Sequence, residues 1–172
     1  MDLMNHRSNI SEVGITDSKP GVTVETVTQM DDRLREIIIQ IDEAAFGPGS
    51  LNKWTLPLFM HYGVVYIARY HGEPAGVAEL IRDRRDPELV YLYGYAVAPQ
   101  FRGEGIGTIL FHSIIESMPP AGFRRLQLTV HPENQIALHI YRDKFGMRTL
   151  DYISDYYGPG EDRWLLEWSW EG

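Results

Sequence analysis

Between Val64 and Val97 three strand-like runs follow one another with only short breaks. Val64 to Tyr70 is aromatic and β-branched, His71-Gly72-Glu73-Pro74 reads as a turn, and Ala75 to Ile81 is a second run. Arg82 to Pro87 is a charged loop, and Leu89 to Val97 is the third run. A parallel crossover needs a dozen or more residues, so breaks this short force an antiparallel meander. Everything before and after must pack onto that sheet.

Upstream, Val22, Val24 and Val27 predict a first strand. Asp31 or Asp32 can then cap a helix whose Leu34, Ile37, Ile38, Ile41 and Ala45 recur at three and four residues, until Gly47-Pro48-Gly49 breaks it. Ser50 can cap a second short helix through Trp54, Leu58 and Met60, ending at Gly63. Downstream, Pro99 stops the third run, and Ile106, Ile109, Leu110, Ile114 and Met118 trace one helix face as far as Pro119-Pro120. Leu126, Leu128 and Val130 alternate as a strand, and a helix from about Glu133 to Phe145 closes at Gly146. Two last strands, Met147 to Tyr156 and Arg163 to Trp170, flank Gly158-Pro159-Gly160. The pattern is α/β, an α+β arrangement on a mixed sheet. At 172 residues it is one domain, over 21–172, behind a polar, aperiodic segment, 1–20, expected to be a mobile tail.

Composition narrows the chemistry. Without cysteine, neither a disulfide framework nor a cysteine acyl-enzyme is available. The six histidines form no i, i+4 pair, so no metal is expected. A net charge of −8 disfavours nucleic acid and suits either solubility or a cationic partner. The start has no basic-then-apolar leader and no run is long enough to span a bilayer, so no membrane partner and a cytoplasmic location are expected. Oligomeric state is left open, a homodimer included.

The chemistry concentrates where the third run passes into the central helix. Gln100 to Thr108 reads Gln-Phe-Arg-Gly-Glu-Gly-Ile-Gly-Thr, with glycines at alternate positions directly before a helix. Glycine permits positive φ and close approach, and a helix start adds free N–H donors and a favourable dipole, so a pyrophosphate fits here. A P-loop would need a Lys before Thr108, and a dinucleotide fingerprint would need Gly-x-Gly-x-x-Gly with a later acid. Neither is present. A tight turn without a ligand is the structural alternative.

Arg102-Gly103-Glu104-Gly105-Ile106-Gly107 resembles the coenzyme A-binding motif of the GCN5-related N-acetyltransferases, which is Arg or Gln, two residues, Gly, one residue, then Gly or Ala. A second motif of that family is similar to Asn134, Ala137 and Tyr141, spaced Asn-x-x-Ala-x-x-x-Tyr. The likeness covers about Val22 to Trp170 in element order, with motif matches from Val97 to Gly146. One departure is Gly146, five residues after Tyr141 where the family usually has four. The resemblance implies that fold, with a largely antiparallel sheet splayed at its fourth and fifth strands and about four flanking helices.

It also implies acetyl-coenzyme A as co-substrate and direct transfer to a primary amine, borne by a small molecule or a peptide. The pyrophosphate would sit on Arg102, Gly103, Glu104, Gly105, Ile106, Gly107 and Thr108, and a β-bulge near Ala96 and Val97 would present backbone groups to the pantetheine arm. Tyr141 would be the general acid. Two helical turns put Asn134 and Tyr141 on one face about 10 Å apart, and an amide there suits the pantetheine amides. Asn134 as a plain cap and Tyr141 as a core aromatic is the structural alternative. The strand entering the motif carries Tyr91, Tyr93 and Tyr95 where relatives often have a Glu, so Glu79 on the neighbouring strand is the candidate base. Asp42, Glu43 and the acids from Asp151 to Asp162 are expected to favour a cationic acceptor. A non-catalytic acyl-coenzyme A-binding module on the same fold is the other reading of these motifs.

Overall fold

The meander forms as its short breaks require. In the computed structural model, which describes residues 19–170, strand β1 (Val22–Thr26) is followed by helices α1 (Asp32–Phe46) and α2 (Leu56–Tyr62), then by β2 (Gly63–Tyr70), β3 (Glu73–Arg82) and β4 (Leu89–Val97). Helix α3 (Ile106–Ser117), strand β5 (Arg125–Val130), helix α4 (Gln135–His139) and strands β6 (Arg148–Ile153) and β7 (Arg163–Ser169) complete the chain. The proposed tail at 1–20 falls outside the described residues as far as 18; Lys19 is already held, its carbonyl accepting from Val22 N–H at 3.1 Å.

The seven strands lie in the order β1-β2-β3-β4-β5-β7-β6. Every neighbouring pair is antiparallel except β4 and β5, which run parallel and touch only over Leu89–Tyr91 against Arg125–Gln127. Beyond Tyr91 the two strands part. Strand β4 stays paired to β3 as far as Val97, and β5 stays paired to β7 as far as Val130, so the sheet opens there into a V.

Each face of the sheet has its own core. Leu92, Ile106, Leu110, Phe111, Leu126 and Leu128 pack on the α3–α4 face. Ile38, Ile41, Leu51, Leu56, Val65 and Ala96 pack on the α1–α2 face. Helix α1 starts as its sequence predicts, with Asp31 Oδ1 accepting from Leu34 N–H at 2.7 Å.

Three details depart from expectation. Helix α2 begins at Leu56, not after Ser50, because Asn52 organises the preceding turn by accepting from Trp54 and Thr55 N–H. The bulge in β4 lies at Tyr93, not near Ala96 and Val97: Glu79 pairs with Gly94 and Leu80 with Leu92, leaving Tyr93 as the extra residue, whereas Ala96 and Val97 pair regularly with Val77 and Gly76. The helix predicted over Glu133 to Phe145 is α-helical only to His139. Ile140–Lys144 form one π-turn, closed by Phe145 N–H to Ile140 O at 3.0 Å. That wider turn takes up the additional residue between Tyr141 and Gly146, and Gly146 then ends the helix at φ +66°.

Candidate active site

The open V and the glycine turn adjoin. Gly103 and Gly105 have φ of +82° and +77°, and a methyl group built on either would meet nothing within 4 Å. The N–H groups from Gly103 to Thr108 donate to no acceptor among the described residues, the first bonds nearby being Arg102 N–H to Pro99 O and Ile109 N–H to Gly105 O. This is a row of outward donors at a helix start, the arrangement that binds a phosphate. Gly107 has a different reason. A methyl there would stand 3.0 Å from Tyr95 Oη and 3.4 Å from Val97 Cγ2, so this glycine lets α3 lie close on β4 and lets Tyr95 Oη donate to Gly107 O.

Two cations missed in the sequence converge on the turn. Lys144 Nζ donates to Thr108 Oγ1 at 2.7 Å, and Lys19 Nζ donates to Glu104 O at 2.9 Å and pairs with the Glu104 carboxylate. The Lys19 hydrogen bond and charge hold Glu104 below its ordinary value, and they offset a negative charge that would otherwise oppose an anion. Nothing in their spacing marks these lysines. The π-turn brings one into place and the entry to β1 the other.

Along the V, Ala98 N–H donates to Ala75 O at 2.9 Å, so strand alternation turns the backbone groups of Ala96 toward β3 as well and those of Tyr95 and Val97 toward the open edge. Of the two residues expected to present backbone groups, Val97 alone faces the opening. Its carbonyl also accepts from Arg102 Nε at 3.2 Å.

Tyr141 stands on the α3–α4 face, half-buried among Tyr95, Phe111 and Phe145, with ring centroids 6.1–6.3 Å away. Its hydroxyl has no hydrogen-bond partner among the described residues, and burial pushes the phenol upward, so it stays protonated. Asn134 caps α4, its Oδ1 accepting from Ala137 N–H at 3.0 Å. That is the cap expected of an Asn here, and it leaves the amide NH₂ without a partner among the described residues.

Glu79 lies on the opposite face of the sheet from Tyr141. It is fully buried, beside fully buried Asp42 of α1, and Tyr93 is at the bulge next to them. A methyl on Gly94 would collide with Glu79 Oε2 and stand 3.3 Å from Asp42 Oδ1, so the two carboxylates converge on that glycine. Asp42 Oδ2 accepts from Leu51 N–H, while Asp42 Oδ1 and both Glu79 oxygens have no partner among the described residues. Burial first, and the Asp42 charge second, push Glu79 up to about 8; burial raises Asp42 too, against the Leu51 N–H. Asp42 is therefore no surface attractor for a cationic acceptor.

The acids near the final hairpin are engaged as well. Asp162 accepts from Tyr152 Oη and from Asp155 N–H, Asp155 from Gly160 N–H, and Glu161 pairs with Arg163. Exposed rings dominate this side instead. Tyr93 packs on Phe59 of α2 at 4.9 Å, and Tyr91 Oη lies 3.5 Å from Tyr157 Oη and 2.8 Å from Thr129 Oγ1 of β5. Tyr156 and Tyr157 are exposed beside Tyr91.

Residues 32–147 match the acetyltransferase (GNAT) family. A candidate ribosomal protein bS18-alanine N-acetyltransferase of Bacillus subtilis (strain 168) is 27% identical over 144 residues, covering 79% of this chain and 90% of that protein. An N-alpha-acetyltransferase of Sulfolobus acidocaldarius is 26% identical over 140 residues, covering 75% and 83%. The solved structure of Arabidopsis thaliana Naa50 with the bisubstrate analogue CoA-Ac-MVNAL superposes with a TM-score of 0.70 at 20% identity, over 87% of this chain and 99% of that one. The match over most of the chain, on a sheet that parts between β4 and β5 beside a row of free helix-start donors, makes this protein a member of the acetyltransferase (GNAT) family, an N-acetyltransferase acting on amines.

Proposed function

We propose that the acceptor is the α-amino group of a peptide or protein N-terminus, acetylated directly from acetyl-coenzyme A with no acyl-enzyme. The observation that carries this reading is the aromatic surface joining α2 to the β6–β7 loop through Tyr93, which offers an extended chain apolar contacts. The names of the relatives support the same class of acceptor.

Acetyl-coenzyme A supplies an activated thioester. The N–H groups of Gly103 to Thr108, with Arg102 and Lys144, are suited to its pyrophosphate; the backbone of Val97 and the free amide of Asn134 are suited to its pantetheine arm. Tyr141 Oη holds a proton for the departing sulfur, and the Glu79 carboxylate takes one from the acceptor ammonium through a bridging water. Acid and base then work from opposite faces of β4, which separates the coenzyme's side from the acceptor's.

A thiol-release assay over an amine panel tests this. Peptides with a free N-terminus should be turned over, and N-blocked lysyl peptides and polyamines should lag by about tenfold or more in kcat/KM. A panel led by polyamines or lysine side chains would overturn the acceptor. In the same assay Gly105→Val, a branched side chain at φ +77° in the path of the phosphate, should raise KM for acetyl-coenzyme A by about tenfold or more. An unchanged KM would remove the pyrophosphate from this turn.

A further inference from the structure

The carboxylates of Asp42 and Glu79 converge beside Gly94 in the α1–α2 core, and among the described residues only one of their four oxygens is hydrogen-bonded. Both side chains are fully buried. Two like charges in such a place, with one backbone donor among the described residues between them, cannot both persist, because desolvation and mutual repulsion act together. One proton between them removes the conflict.

The other titratable groups nearby do not supply it. From β4 the nearest is the Tyr93 phenol, whose own charged form is disfavoured first by burial and then by Tyr157, Asp42 and Glu79. Helix α1 carries its remaining charges on exposed or half-buried positions, Arg33, Arg35, Glu36 and Glu43 among them, and α2 brings exposed His61 and Tyr62. Strand β2 sets Val65 opposite Glu79 and turns Tyr66 away to Ser117, while β4 turns Tyr91 to Thr129 and Tyr95 to Gly107.

We propose that Asp42 and Glu79 form a single proton-sharing pair in which Asp42 is a positioning residue: the Leu51 N–H keeps Asp42 ionised, and ionised Asp42 keeps the proton on Glu79 until rising pH draws it off. The bulge at Tyr93 and the missing side chain at Gly94 make room for the pair where the V begins. Asp42 thereby sets the pH at which Glu79 becomes a base. This rests on the reading of Glu79 as the base, and the experiment separates the two.

Carboxyl 13C shifts and kcat are followed against pH in the wild type, Asp42→Asn and Glu79→Gln. Asp42→Asn keeps an oxygen for the Leu51 N–H and removes the charge. Its Glu79 titration should move down by at least about one pH unit, and the acid limb of kcat should move with it, so that the variant is several-fold faster than the wild type near pH 6.5. A Glu79 midpoint unmoved in Asp42→Asn overturns the pair. A midpoint that moves while the acid limb stays, with Glu79→Gln retaining the wild-type profile, upholds the pair and overturns Glu79 as base. Should Asp42→Asn not fold, the wild type alone decides: both carboxyl signals responding to the same two steps supports sharing, and two independent single steps overturns it.

Discussion

Tyr141→Phe should lower kcat by roughly 10²- to 10⁴-fold, the range general acid catalysis contributes, with acetyl-coenzyme A affinity essentially unchanged. The ring would keep its place between Tyr95, Phe111 and Phe145. The hydroxyl has no partner among the described residues to lose, so little stability should go with it. Because burial pushes the phenol up, the deficit should persist across neutral and mildly alkaline pH and not appear as a shifted basic limb. Pre-steady-state release of the coenzyme thiol, beside equilibrium binding and thermal melts, distinguishes lost proton delivery from lost packing. Normal turnover of the Phe variant at every pH would make Tyr141 a structural aromatic and leave protonation of the thiolate to water.

The second large effect is on stability. Folding pushes Glu79 from its ordinary 4.5 up to about 8, and Asp42 moves in the same direction. Between those values the folded chain holds a proton that the unfolded chain has released. Stability therefore falls as pH rises from about 4.5 to about 8 and levels off above that, by an amount on the order of 5 kcal/mol across the window. Glu79→Gln should flatten this dependence and be more stable than the wild type at pH 8, since it removes the buried charge and keeps the shape. Urea unfolding at half-unit intervals from pH 5 to 9 measures it. Parallel curves for wild type and variant would show that Glu79 is ionised in the folded protein, with a donor or cation beside it.

The β2–β3–β4 meander and the glycine turn are legible because both depend on local rules: short breaks force the meander, and glycines before a helix leave donors free, whereas the place of β7 between β5 and β6 depends on pairing across the chain. Helix α1 was legible as an element but misread as a surface. Asp42 follows Ile38 by four residues and Ile41 by one, which puts it on the apolar stripe, out of reach of the cationic acceptor its charge is expected to favour. Glu79 likewise stands in the unbroken run Ala75 to Leu80, every residue of which is buried. A carboxylate inside such a run has its environment stated by its neighbours. Its partner does not come from its own segment, because the α1 contact is made across 37 residues of chain that only packing brings together. The bulge position was not legible either, since Tyr91, Tyr93 and Tyr95 alternate as they would in a regular strand and the irregularity serves Gly94 and Glu79 across the pair.

The π-turn has one more consequence. In a uniform α-helix an inserted residue rotates all that follows by about 100°, so the cap at Asn134 and the exit at Gly146 would fall out of phase. Here the widened turn works as a phase corrector: the first half of the helix answers to its cap, the second to the exit into β6, and neither dictates the other's orientation. Tyr141 sits at that junction, its carbonyl accepting from Met147 N–H at 2.9 Å, so its bearing on the open edge is fixed from the downstream side as well as from its own ring.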